Sequence, residues 1–398
     1  MGRKKEEAQG PPHPPRGYVL AVGGANGEYT LTPSSPYREG GKHQVRSHPL
    51  YGGSGMNYAA KLMGYGIPTI PILAAGDDAL GGEIRAELLR IAAQAGLPRP
   101  VSDWVGASHF LVPKARTPRS TIVVAGGRRT IFKETVALED RGDFLRHVDR
   151  ALEALEARGI VDRVKAVMIG HLQADEPNGD GPQAPGPCTK RIVDYFHARQ
   201  VPIFANFGDS QLRRGHEAWR PVLEKLEVFQ LNADELVRFY GPGLELDAIV
   251  QDEMVRRSKY CVVTMDKFGA LCVGAPERMN GLIVAWSSKP HKVVDTTGAG
   301  DAFLSGVVSY AYEVPEELQR RQGILRPMAR GRLWAEFTCQ HLGGASETPD
   351  AAKLRAFEST LPNGYADPNA VDEAHAKTIL RILTTAFNRE VSRPPPEA

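Results

Sequence analysis

The sequence has 398 residues, 42% hydrophobic and 24% charged, with a formal net charge of +2. That length can bury one large core or two modest ones, a single α/β domain of this size being ordinary, and the charge balance calls for neither a nucleic-acid nor a membrane partner. No apolar run approaches the length that crosses a bilayer. The four cysteines, Cys188, Cys261, Cys272 and Cys339, form no CxxC pair and no zinc spacing, so buried thiols in a reducing compartment are expected.

Residues 1–16 are charged and then Pro-rich, without the apolar stretch of a secretory signal, which predicts a disordered leader and a cytoplasmic protein. Residues 18–22 form a short apolar run ending in Gly23-Gly24, a buried strand entering a loop. The stretch 30–50 is polar and poorly periodic. Gly52-Gly-Ser-Gly55 then opens a helix carrying Tyr58, Leu62 and Met63 at helical spacing. A strand at 69–74 leads to Asp77-Asp78 and a helix over 79–95. Around Gly126-Gly127 the pattern becomes a hairpin. From 144 onward helices and strands alternate: helix to 157, strand 166–169, helix 189–199, strand 202–205, helix 218–226, strand 228–231, helix 233–240, strand 260–265. Alternation of this kind predicts a mainly parallel sheet with helices on both faces, whose ligands lie beyond the carboxyl ends of the strands. The irregular stretches at 29–51 and 107–133 would supply a small second sheet. Residues 371–391 read as an amphipathic helix within a C-terminal extension, 361–398, that ends in a Pro-rich tail.

The strongest chemical signal is Val293-Val-Asp-Thr-Thr-Gly-Ala-Gly-Asp301, an apolar strand end running into small residues and a helix start. Backbone N–H groups can converge on an anion there, and the helix N-terminus adds positive potential. Such a place suits a transferring phosphoryl group, with Asp301 able to accept a proton from an attacking hydroxyl. For a bare Gly-x-Gly-Asp, a helix cap after a glycine turn would be the plainer reading. No serine-nucleophile elbow, zinc motif or Walker A loop is present.

Asp295-Thr-Thr-Gly-Ala-Gly-Asp301 resembles the C-terminal motif of the ribokinase (PfkB) family of carbohydrate kinases, and Gly52-Gly-Ser-Gly-Met-Asn57 resembles its N-terminal motif. Gly76-Asp-Asp-Ala-Leu-Gly81 stands where the family has a G-D-D-x-x-G turn, and the similarity runs over 18–349. The resemblance implies a three-layer α/β kinase domain over 17–360 with a small β-sheet lid from 29–51 and 107–133. It implies Asp301 as base and the backbone of Gly298, Ala299 and Gly300 as anion hole. Asn26, Glu28, Gly52, Gly53 and Asn57 would bind the acceptor; Glu28 replaces the family's Asp, and Ser54 a frequent Lys. Asn232, Thr264, Asp266, Gly269, Gly298, Gly300 and Gly344 would bind ATP or another donor nucleotide, Asp266 standing where glycine is usual. Asn232 and Glu235 would organise Mg²⁺ through water, and Asp295 a monovalent cation such as K⁺.

The implied activity is phosphoryl transfer to a hydroxyl of a sugar or sugar derivative. A nucleoside acceptor is the alternative, and a catalytically silent kinase-like binding protein is a third reading. The lid would exclude water, and its exposed edges could pair two copies into a homodimer.

Overall fold

The computed structural model describes residues 17–36, 38, 40–125, 128–134, 141–176, 184–241, 257–266, 269–275, 278, 283–285 and 293–361. The leader at 1–16 and the amphipathic segment at 371–391 lie outside the described residues.

Apolar runs in this chain become strands buried on both faces. The main sheet contains β1 (Tyr18–Gly24), β4 (Thr69–Ala74), β7 (Val164–Ile169), β8 (Ile203–Asn206), β9 (Val228–Asn232), β10 (Tyr260–Thr264), β11 (Ala270–Gly274) and β12 (Ile283–Ala285). Their order is β12-β11-β10-β9-β8-β7-β1-β4. The strands from β4 to β10 run parallel, while β11 and β12 pair antiparallel. Every residue of β4 is buried, as a strand covered on both faces requires.

A second sheet joins β2 (Asn26–Pro33), β3 (Val45–Gly52), β5 (Arg119–Ala125) and β6 (Arg128–Lys133) in the order β3-β2-β5-β6. The 30–50 stretch, which shows little sequence period, is an antiparallel pair in register from Asn26↔Gly52 to Pro33↔Val45. Partner strands supply here the order that alternation does not show, which is how tertiary pairing overrides local preference. The strands start at Asn26 and Arg119, so the span 107–118 lies outside the sheet, as a 3₁₀ turn at Ser108–Phe110 followed by loop.

The helices are α1 (Ser54–Gly64), α2 (Ala79–Gln94), α3 (Arg99–Val105), α4 (Arg141–Ala157), α5 (Pro187–His197), α6 (Asp209–Leu212), α7 (His216–Leu223), α8 (Ala233–Tyr240), α9 (Ala299–Glu313), α10 (Leu325–Thr338) and α11 (Ala351–Glu358). Buried Trp104 and Trp219 donate their indole N–H groups to the carbonyls of Pro71 (2.7 Å) and Gln211 (2.8 Å), so neither polar tip is stranded. Asp78 caps α2 through Gly81 N at 2.8 Å and also receives Thr117 N and its hydroxyl, at 2.8 and 2.7 Å. One carboxylate thereby joins the Gly76–Gly81 turn to the chain entering β5. The four cysteines are free thiols, three of them buried, as their spacing suggests. Among the described residues no helix is long and apolar enough to cross a membrane.

Candidate active site

Polar side chains within or just after the apolar strands join hands toward the carboxyl edge of the sheet. His171 follows β7; its N–H donates to Ser54 Oγ at 2.7 Å, and its carbonyl accepts from Gly24 N at 2.9 Å. Asn206 at the end of β8 donates Nδ2 to the Gln230 carbonyl at 2.9 Å. That contact orients the amide, so Asn206 Oδ1 accepts from His171 Nε2 at 2.8 Å. Gln230 on β9 donates Nε2 to the Gly300 carbonyl at 3.1 Å. A chain of hydrogen bonds therefore crosses the sheet from the start of α1 to the start of α9.

At the far end of this chain stands Asp301, in the first turn of α9. Gly298 caps the helix with φ +71°, a left-handed conformation in which glycine avoids the strain of a Cβ. Asn57 Nδ2 donates to Asp301 Oδ2 at 2.6 Å, a short charge-assisted contact. Ala299 N–H is engaged by the Thr296 carbonyl at 3.2 Å, whereas the N–H groups of Gly298 and Gly300 have no acceptor among the described residues. Of the buried polar atoms without a partner among those residues, Asn57 Oδ1 and Gln230 Oε1 lie here. Burial first, and then Asp301 and Glu235, push the Tyr58 phenol well up, so its hydroxyl lies in the field of both carboxylates. Unsatisfied polar atoms gathered around one helix start mark a place built for a ligand.

Close approach of three segments shapes the same point. A Cβ on Gly298 would lie 2.6 Å from Gly344 Cα, and one on Gly344 would lie 2.6 Å from Asn57 Nδ2. Asp295 holds the two loops together: Oδ1 accepts from Thr297 N (2.9 Å) and Oγ1 (2.8 Å), and Oδ2 accepts from Gly343 N at 2.9 Å.

Asn26, Glu28, Gly52 and Gly53, expected to bind the acceptor, converge near the start of α1. Asn26 Nδ2 donates to Ser120 Oγ at 3.0 Å and reaches Glu28 Oε1 at 3.5 Å. The Glu28 carboxylate lies over Gly52, where a Cβ would come within 2.1 Å of Oε1. Glu28 is only 7% exposed, so it turns inward and not to solvent. Gly53, at φ +89°, would place a Cβ 2.6 Å from the Gly24 carbonyl and 2.8 Å from Asn26 Oδ1.

On the other side, Thr264 and Asn232 are register partners at the ends of β10 and β9. Asn232 and Glu235 form a capping box: Glu235 N donates to Asn232 Oδ1 at 2.8 Å, and Asn232 N donates to Glu235 Oε2 at 2.9 Å. Burial raises the Glu235 carboxyl above its ordinary range, with nearby His171 opposing the rise. Asp266 has φ +45°, and Gly269 N donates to its carbonyl at 3.1 Å. The left-handed turn explains why glycine is usual there, and why Asp, which tolerates that region, can take its place.

A family model described as the pfkB family carbohydrate kinase matches residues 185–350, the span that holds the Asn232, Thr264, Asp295 and Asp301 segments. Over that span the chain resembles the pfkB carbohydrate kinases. The likeness in fold extends beyond it. A ribokinase from Giardia lamblia superposes with a TM-score of 0.63 at 17% identity, covering 85% of this chain and 99% of its own. The nucleoside kinase of Methanocaldococcus jannaschii gives 0.59 at 16% identity, covering 86% and 98%. A Burkholderia thailandensis nucleoside kinase in complex with inosine gives 0.58 at 17%, covering 86% and 97%. A second family model, the LD-carboxypeptidase C-terminal domain, matches residues 126–216, a stretch that begins in the β5–β6 hairpin and stops inside the main sheet, so it corresponds to no unit of this fold. No curated protein matches the sequence.

The structure adds residues that sequence reasoning passed over, Ser120, Asn206, Gln230 and Lys61, and gives Tyr58, read as an apolar helix position, a place near Asp301. Asn206 and Gln230 carry a legible signal, as polar side chains inside the apolar strands Ile203–Asn206 and Val228–Asn232. Lys61 carries one too, as a charge among the buried positions of α1. Among the described residues no three His, Cys, Asp or Glu side chains cluster as direct metal ligands.

Proposed function

We propose that the chain transfers the terminal phosphoryl group of ATP to a hydroxyl of a sugar or nucleoside, with Asp301 as general base. The observation that carries this is the Asp301 carboxylate fixed by Asn57 at 2.6 Å, in a helix turn where the amides of Gly298 and Gly300 remain free to bind an anion. The acceptor hydroxyl enters from the Asn26, Glu28 and Gly53 side, and the nucleotide from the Thr264, Asp266, Gly269 and Gly344 side. Asp301 takes the hydroxyl proton, the oxygen forms its bond to the γ-phosphorus, and the β,γ-bridging bond breaks to release ADP. The Gly298 and Gly300 amides offset the charge that develops on the transferring group.

Asn232 and Glu235 fit an indirect role toward Mg²⁺. One Glu235 oxygen is taken by Asn232 N, and the other is not engaged by any described residue and could receive a metal-bound water. Bound there, Mg²⁺ would supply charge neutralisation at the phosphates. Asp295 already braces two loops with both oxygens, and a monovalent cation would share that carboxylate.

Asp301→Asn keeps the shape and removes the base. Turnover should fall by roughly 10²–10⁴-fold with nucleotide affinity little changed, measured as ADP release with a panel of sugars, polyols, sugar acids and nucleosides. Near-normal turnover in the folded variant would remove Asp301 from the role. The same panel decides between sugar and nucleoside acceptors, since a nucleoside must also place a base beside the Glu28 pocket.

Tyr29 and Phe132, which share a cross-strand row with Thr121, are 42% and 58% exposed on the second sheet. Apolar side chains left open there support a homodimer formed through this sheet.

A further inference from the structure

The strand β9 reads Val-Phe-Gln-Leu-Asn, and every residue before Asn232 is buried. Gln230 is 1% exposed, between Phe229 and Leu231, where a sheet covered on both faces calls for an apolar side chain. An amide in such a place costs free energy unless its polar atoms are engaged. Its Nε2 donates to the Gly300 carbonyl at 3.1 Å, while Oε1 has no partner among the described residues. A methionine would fill nearly the same volume without stranding an oxygen, so packing alone does not account for the glutamine.

What the amide supports is the first turn of α9. A Cβ on Gly300 would lie 3.4 Å from Gln230 Nε2, and among the described residues no other atom outside α9 and the glycine's chain neighbours comes within 4 Å of it. The turn rests on contacts from three directions. Asn57 on α1 holds the Asp301 carboxylate at 2.6 Å, Gly344 beyond α10 packs against Gly298, and Gln230 reaches Gly300 from the sheet. The backbone of Gln230 is fixed in its turn: its carbonyl accepts from Asn206 Nδ2 at 2.9 Å, and it lies in register with Asn206 and Val262. The Gly300–Asp301 peptide is planar, so an oxygen held in place sets the direction of the Asp301 N–H and the seat of Asp301 Cα.

We propose that Gln230 is a positioning residue: its amide, donated from β9 to the Gly300 carbonyl, fixes the Gly298–Asp301 turn against the sheet, so that the turn's free amides and the Asp301 carboxylate keep one geometry while a phosphoryl group moves. The inference rests on that turn being the anion site of the proposed transfer. Gln230 acts through the turn and not on a ligand.

The test compares two probes on the full-length protein by calorimetry: ADP with Mg²⁺, and the same mixture with aluminium fluoride, which supplies a compact anion where the phosphoryl group passes. A preorganised turn binds the second more tightly than the first. Gln230→Met removes the donor and the stranded oxygen together at similar volume. Gln230→Glu keeps the shape and sets an acceptor against the Gly300 carbonyl. Displacements of about 1 Å cost about 10²-fold, and one support of several is lost, so each variant should shrink the affinity gap roughly tenfold. ADP affinity should stay unchanged, and Gln230→Met should melt no lower than the wild type. Should neither variant fold, the wild type still reports. Its Gln230 side-chain ¹⁵N signal should move when aluminium fluoride joins the ADP complex and stay in place with ADP alone; a signal indifferent to the fluoride overturns the inference. A wild-type gap that both folded variants retain sinks the Gln230 role alone, whereas a wild type with no gap sinks the anion site itself and the Gln230 role with it.

Discussion

A methyl group at Gly344 should disable the site without unfolding the protein. The backbone there is not left-handed, so alanine brings no conformational strain. The nearest atoms to a Cβ at this position all belong to one side chain: Asn57 Nδ2 at 2.6 Å, Oδ1 at 2.8 Å and Cγ at 2.9 Å. Real Cβ contacts do not come that close, so the Asn57 amide must rotate away, and its 2.6 Å bond to Asp301 breaks. A hydrogen bond to a charged group contributes about 1.5–3 kcal/mol, which corresponds to roughly 10–10²-fold in rate if it is held through the transition state. Gly344→Ala should therefore lower kcat by about that factor, while stability falls by no more than about 2 kcal/mol as the displaced amide re-seats. The decisive comparison is a double-mutant cycle with Asn57→Ala, read by ADP release and by denaturant unfolding. Once the amide is gone, the methyl group has nothing to strike, so Gly344→Ala should cost little further in the Asn57→Ala background. Additive losses, or a folded Gly344→Ala protein with full activity, would refute the reasoning.

Other expectations follow from single residues. Burial, aided by Arg150 and His109, holds His147 down to about 4 against its ordinary 6.5. The unfolded chain takes up that proton first, so stability should decline as pH falls through the window from 6.5 to about 4, by on the order of 3 kcal/mol in total. His147→Leu should flatten that part of the stability curve, and an unchanged slope would contradict the assignment. Phe132→Glu, on the exposed row of the second sheet, should shift a dimer toward monomer in light scattering while the melting profile of the monomer is kept.

How much of this was legible follows from where chemistry restricts the residue choice. The turn ending at Asp301 is readable because a backbone anion site needs small residues at a strand-to-helix junction, and few other demands produce that string. Asn57 is readable through the motif that contains it, but its bond to Asp301 joins residues 244 positions apart, which no local pattern encodes. Asn206 and Gln230 look like flaws in apolar strands until the sheet aligns them. Glu235 shows both readings at once: the tetrapeptide is a capping box by geometry, and the same carboxylate sits beside His171 and within the field of Tyr58. The strands at 26–33 and 45–52 were the least visible, because their order comes from pairing with each other and with β5 and not from alternation.

Coupling between the two halves of the site is built into the carboxyl edge of the sheet. Ser54 stands next to Gly53 at the proposed acceptor end, and Gly300 lies in the turn before Asp301 at the proposed donor end. Between them run His171, Asn206 and Gln230, linked by contacts of 2.7, 2.8, 2.9 and 3.1 Å. Each link uses a donor and an acceptor that would otherwise be stranded at a strand end, so a break at one forces its neighbours to seek new partners. Its middle links, Asn206 and Gln230, sit on the sheet itself, which suits a site whose reacting atoms must hold position within a fraction of an ångström. Under the proposed function, Glu28 over Gly52 on the second sheet would carry specificity, while the rail beneath keeps that pocket and Asp301 at a constant separation.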